Sequence, residues 1–182
     1  NDMVVSEDGT AYVGNFGFGE GESYAQASLA IVHVDGSVVE GPGGFDFPNG
    51  TVIDPLGHQL VVAESYGSRL TAFDIEADGS LTARREFADL GKRVPDGICL
   101  DAEGAVWVAD PVNGTCFRVL EGGEVTDVVE LEFNCFACML GGPDRRTLFM
   151  ITAPTSKAKG LAARLEGRIE TARVEVAGAG RP

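Results

Sequence analysis

Three stretches of this chain are versions of one another, and that repetition restricts the fold more than any other feature. One runs from Asn1 to Gly9 and continues as Ala11-Tyr12-Val13. The second runs from Asn49 to Gly57 and continues as Leu60-Val61-Val62-Ala63. The third runs from Asp96 to Gly104 and continues as Val106-Trp107-Val108-Ala109. Their shared turn glycines, Gly9, Gly57 and Gly104, are 48 and 47 residues apart. A looser fourth unit, from Cys138 to Arg146 and on through Leu148-Phe149-Met150-Ile151, places Arg146 at the turn position, 42 residues further on. Each unit reads as an apolar strand, a turn bearing Asp, Gly or Pro, and a second apolar strand. More strand-like segments follow each hairpin: Leu29 to Val34, Arg69 to Asp74, Cys116 to Leu120, Val125 to Val129 and Gly167 to Val176. About four strands per unit at a period of roughly 40–50 residues predicts an all-β chain built as a β-propeller. The boundaries predict four blades, at about 1–45, 46–92, 93–134 and 135–182. Sandwich strands do not recur with such likeness, and β-helix coils are much shorter. Only Lys157 to Leu165 has a weak helical period.

Composition narrows the partners. The chain has 182 residues and a net charge of −14, which repels phosphate backbones and argues against nucleic acid. No apolar run approaches the roughly 20 residues needed to cross a bilayer, so no membrane partner is expected. Four cysteines are too few for a disulfide scaffold at this length. Cys135 and Cys138 have the spacing of zinc ligands but lack a second close pair, so buried thiols are the better reading. The first residue is Asn and the chain starts inside a strand-like stretch, so a leader sequence cannot be judged. A cytoplasmic location is the working expectation.

The repeat also selects residues. The innermost strand of each blade lines the central channel and begins at its mouth. Eight positions before the turn stand Asn1, Asn49, Asp96 and Cys138. Pro48-Asn49-Gly50 and Pro95-Asp96-Gly97 are, taken singly, ordinary turn tripeptides. Turn chemistry does not explain why oxygen-bearing side chains ring one axis in register. Asn and Asp oxygens suit a hard divalent cation such as Ca, Mg or Mn. Hairpin geometry predicts Asn15 near Asn1, Glu64 near Asn49 and Asp110 near Asp96, with Glu64 or Asp110 supporting the ligands. Other signals are weaker. His33 lies in an alternating strand and His58 in a turn. Ser156 and Lys159 share only a spacing with serine–lysine enzymes. Gly17 to Gly21 reads as a loop at the channel mouth, where Glu20 or Glu22 meets a ligand. Trp107 reads as packing between blades.

At these residues the chain resembles the gluconolactonase, regucalcin and senescence-marker-protein family. The likeness rests on Asn1-Asp2, Phe47-Pro48-Asn49-Gly50, Val94-Pro95-Asp96-Gly97 through Gly104, Val106 to Ala109, and Gly141-Gly142-Pro143. The resemblance implies a six-bladed propeller with one divalent cation (Ca, Zn, Mg or Mn) in the channel. It implies Asn49 and Asp96 as metal ligands, Asp96 as acid–base residue, and Asn1 and Glu20 as substrate contacts. It also implies a glutamate ligand and an arginine upstream of Asn1. The expected activity is metal-assisted hydrolysis of a small lactone. A non-enzymatic metal- or ligand-binding propeller and a protein-docking propeller are the alternatives. Taken alone, four units of a six-bladed ring form an open arc whose end faces carry Val4, Tyr12, Phe149 and Ile151. Such an arc is expected to bind metal poorly and to be nearly inactive.

Overall fold

The computed structural model describes residues 1–19, 21–154 and 165–180. The described residues form four antiparallel sheets. Sheet one holds β1 (Met3–Val5), β2 (Ala11–Val13), β3 (Ala30–Val32) and β4 (Val38–Glu40). Sheet two holds β5 (Pro48–Ile53), β6 (Gln59–Glu64), β7 (Arg69–Ile75) and β8 (Leu81–Asp89). Sheet three holds β9 (Ile98–Leu100), β10 (Val106–Asp110), β11 (Thr115–Val119) and β12 (Val125–Glu130). In sheet four, β13 (Asn134–Gly141), β14 (Thr147–Ala153) and β15 (Arg168–Arg173) are described. Every sheet runs in simple meander order, and β1, β5, β9 and β13 lie side by side in sequence. This is the blade arrangement of a propeller. The helical segment considered for 157–165 falls almost wholly outside the described residues, as do Ser156, Lys159 and Glu20.

Burial follows from position in the arc. Strands β5, β9, β10 and β11 are buried at every residue, because sheets two and three have a neighbour on both faces. In sheet one, β1 and β2 bury only their central residues, Val4 and Tyr12. These two pair across the hairpin and pack with Leu60, Val62 and Phe73 of sheet two. The expectation that they lie on an open end face is therefore wrong. Side chains alternate across a strand, and the inward face of β1 is the one turned to sheet two. Met3 and Val5 take the other face and are exposed. At the far end Phe149 is half-buried and Ile151 is exposed, as anticipated.

Neighbouring blades touch through the main chain at the channel. Gly50 N–H donates to the Asp96 carbonyl at 3.1 Å, and Gly97 N–H donates to the Phe136 carbonyl at 3.0 Å. A Cβ on Gly50 would lie 2.5 Å from the Asp96 oxygen, and one on Gly97 would lie 2.8 Å from Ala137 Cα. Gly50 sits inside β5, so Pro48-Asn49-Gly50 is not a turn. Glycine follows Asn49 and Asp96 because two backbones approach there too closely for a side chain.

Candidate functional site

The register that aligned Asn49 with Asp96 brings both to one cavity of about 620 Å³. Asn1, Asp2 and Ser65 also line it. Asn49 is almost fully buried, and its Nδ2 donates to Ser65 Oγ at 3.2 Å. Ser65 Oγ in turn donates to the Pro95 carbonyl at 2.6 Å, so the serine ties the Asn49 strand to the segment carrying Asp96. The Asn1 side chain donates to the Pro48 carbonyl. Asp96 is half-buried; its N–H donates to the Ala109 carbonyl at 2.9 Å.

Burial, then repulsion from the Asp2 carboxylate, pushes Asp96 up to about 6, against the opposing pull of hydrogen bonds from the Asn49 side chain and the Gly97 N–H. The Asp2 carboxylate raises the cost of ionising Asp96, and a cation between them would remove it. The donor set of Asn49, Asp96, Asp2 and Ser65 is all oxygen, which fits a hard divalent ion better than a thiolate- or imidazole-seeking one. Among the described residues no three His, Cys, Asp or Glu side chains converge as a metal cluster. A cation here would therefore need the amide oxygen of Asn49 together with the carboxylates.

The supporting residues differ from expectation. Glu64 pairs with Pro48 in the β5–β6 register, yet its fully buried carboxylate belongs elsewhere. Arg69 binds it at 2.7 Å, Arg84 at 3.3 Å and the Asp46 N–H at 2.8 Å. A bulge between Pro48 and Thr51 and strand alternation put Ser65, not Glu64, on the side of Asn49. Asp110 caps its own turn, accepting from the Val112 and Asn113 N–H groups at 3.0 Å each. The Asn1 amino group donates to the Gly14 carbonyl at 3.3 Å, which sets Asn15 beside it as expected, but the Asn15 side chain is spent on the Ser28 carbonyl at 2.6 Å. Glu22 accepts from the Gly19 N–H at 2.8 Å and shapes the loop. Asp2 and Ser65 were not singled out from the sequence. Asp2 directly follows a recognised position, and Ser65 follows Glu64, displaced onto the Asn49 side by the bulge.

The cysteines are all buried free thiols. Cys99 and Cys138 bring their sulfurs to 3.9 Å. Contact with Cys138 and then burial push Cys99 well above the usual thiol range, and contact with Cys116 and burial push Cys138 up against the opposing effect of Cys99, so both pack as neutral apolar groups. Trp107 is buried with them between sheets three and four.

Residues 1–154 match the SMP-30/Gluconolactonase/LRE-like region. Regucalcin of Xenopus laevis is 33% identical over 135 residues, 70% of this chain and 44% of its own length. The 6-deoxy-6-sulfogluconolactonase of Pseudomonas putida is 29% identical over 140 residues, 74% of this chain and 48% of its own. The chain thus spans less than half the length of either relative. Among solved structures, a calcium-binding regucalcin of Agrobacterium tumefaciens superposes with a TM-score of 0.80 at 24% identity, covering 100% of this chain and 63% of its own. The likeness carries the all-β propeller fold, and four sheets are consistent with part of a six-bladed ring.

Proposed function

The chain belongs to the SMP-30/Gluconolactonase/LRE-like family, and from that premise we propose that it forms part of a divalent-cation-dependent hydrolase of small lactones. The observation that carries the reading is the convergence of Asn49 and a half-buried Asp96 of raised pKa in one channel-mouth cavity. Asn49, Asp96 and Asp2 would hold the cation. When bound, the cation supplies Lewis-acid polarisation of the lactone carbonyl. Asn1 and Ser65 lie beside that position and orient the ring. Asp96 moves the proton: a water oxygen bonds to the carbonyl carbon as Asp96 takes its proton. The ring C–O bond then breaks, and Asp96 returns the proton to the departing alkoxide. A pKa near the working pH suits this two-way transfer. A nearby cation lowers that pKa, which shifts the balance from donating towards accepting.

The test is acid release from glucono-δ-lactone at constant pH by the full-length protein. Hydrolysis above the spontaneous rate that is lost with chelator, regained with Ca, Mn or Zn, and absent in Asp96→Asn supports the reading. Cation binding without any hydrolysis favours the non-enzymatic alternative and overturns it.

A further inference from the structure

Five aromatic rings form one contiguous wall above the polar floor of this cavity. Phe16 and Phe18 follow β2, Tyr24 lies further along that loop, Phe47 precedes β5 and Tyr66 follows β6. Phe47 is the hub: Phe16 stacks on it with centroids 4.6 Å apart at 26°, and Tyr66 stacks on it at 4.7 Å and 24°. Phe18 leans on Phe47 at 5.9 Å, and Tyr24 meets Phe18 at 5.7 Å and Tyr66 at 6.1 Å. Phe16, Phe47 and Tyr66 line the same cavity as Asn49 and Asp96. The rings are not spent on the core, since Phe16 is 44% and Tyr66 61% exposed.

The backbone is bent to hold the hub. Phe47 has φ of 62°, a left-handed conformation that bulky residues avoid. Its carbonyl accepts from the Ser65 N–H at 3.0 Å, and Tyr66 N–H donates to the Asp46 carbonyl at 3.1 Å. The Tyr24 hydroxyl is engaged by Asp46. Strain that aims a large apolar ring at an open cavity points to a ligand. The site therefore has two parts: a floor of carboxylates and amides, and a wall made mostly of aromatic ring faces. A polyhydroxylated ring satisfies the floor but can offer the wall no more than a small C–H face. A lactone bearing an aromatic substituent satisfies both, with the ester over Asp96 and its substituent stacked on Tyr66 and Phe47.

The geometry points to an aryl-substituted lactone as the preferred substrate class. The lactone half of this statement rests on the hydrolytic reading above; the aromatic half rests on the wall. The test separates them with two lactams, ring amides that resist hydrolysis: δ-valerolactam and its 6-phenyl derivative. Dissociation constants come from NMR titration of the full-length protein, beside kcat/KM for the two corresponding lactones. The phenyl group is expected to tighten binding about tenfold. Tyr66→Ala should remove most of that gain, and Tyr66→Phe should keep it. Equal affinity for the two lactams, no binding of the phenyl lactam, or a gain that Tyr66→Ala leaves intact overturns the proposal. Hydrolysis of both lactones at equal kcat/KM, with equal lactam affinities, sinks the wall and keeps the hydrolase. A phenyl gain lost in Tyr66→Ala, with no hydrolysis of either lactone, keeps the wall and sinks the hydrolase.

Discussion

Asp96 carries the largest electrostatic consequence of any single residue in the cavity. Its folded-state pKa of about 6 lies above the ordinary carboxyl value, so the folded protein binds this proton more tightly than the unfolded chain. The stabilising contribution of the proton is present at low pH and is lost as pH rises through about 6. In chelator-containing buffer, Asp96→Asn should be more stable than wild type at pH 7.5 by roughly 1–2 kcal/mol, after allowance for partial exposure. The difference should shrink towards pH 4. Urea denaturation at the two pH values measures it; a variant no more stable at pH 7.5 contradicts the assigned environment. In full-length protein, Asp96→Ala should cost far more turnover than Glu20→Ala. Proton transfer alone is worth roughly 10²–10⁴-fold, and only Asp96 is asked both to hold the cation and to move a proton. Comparable rates for the two variants, with equal cation content, contradict the division of roles.

Among the elements, the contact between β5 and the start of β9 sets the spacing of the two proposed ligands. Gly50→Ala puts a Cβ against the Asp96 carbonyl, 2.5 Å away, and something must move. The expected cost is about 1–3 kcal/mol, as for other overpacked sites, together with weaker cation binding. Gly57→Ala is the comparison: nothing lies within 4 Å, but φ is 75°. It should lose stability through strain alone and keep cation affinity. Calorimetric titration of both variants checks this, and equal losses of affinity contradict it. The paired strands were legible because apolar alternation and turn glycines repeat with little change. The role of Gly50 was not, since a close approach of two backbones about 46 residues apart leaves the same Asn-Gly pair that a turn would. The aromatic wall was invisible for a related reason. Its rings come from loops of two blades, with no period to connect Phe16, Phe47 and Tyr66.

For the whole molecule, the register of the repeat groups Asn49 with Asp96, and the two line one cavity. It failed for Glu64, because one bulge moves the face of every residue beyond it. It also failed for Val4 and Tyr12, because a repeat says which residues alternate but not which side meets a neighbour. The outer faces of the first and last sheets carry Met3, Val5, Ile151 and Ile169, all exposed. Residues 1–182 alone should therefore associate with increasing concentration, despite a net charge of −14. Sedimentation velocity of wild type and a Met3→Lys, Ile169→Lys variant tests this. A wild type that stays monomeric at high concentration and high salt contradicts it.

The central claim is that Asn49 and Asp96 share one divalent cation in the channel. Anomalous diffraction from crystals of the full-length protein grown with Mn²⁺ tests it most directly. The account predicts a single strong anomalous peak within about 2.0–2.6 Å of an Asn49 Oδ1 and an Asp96 carboxylate oxygen, absent in Asp96→Asn crystals. A peak bound elsewhere, or none at these two side chains in fully Mn²⁺-loaded active protein, contradicts it.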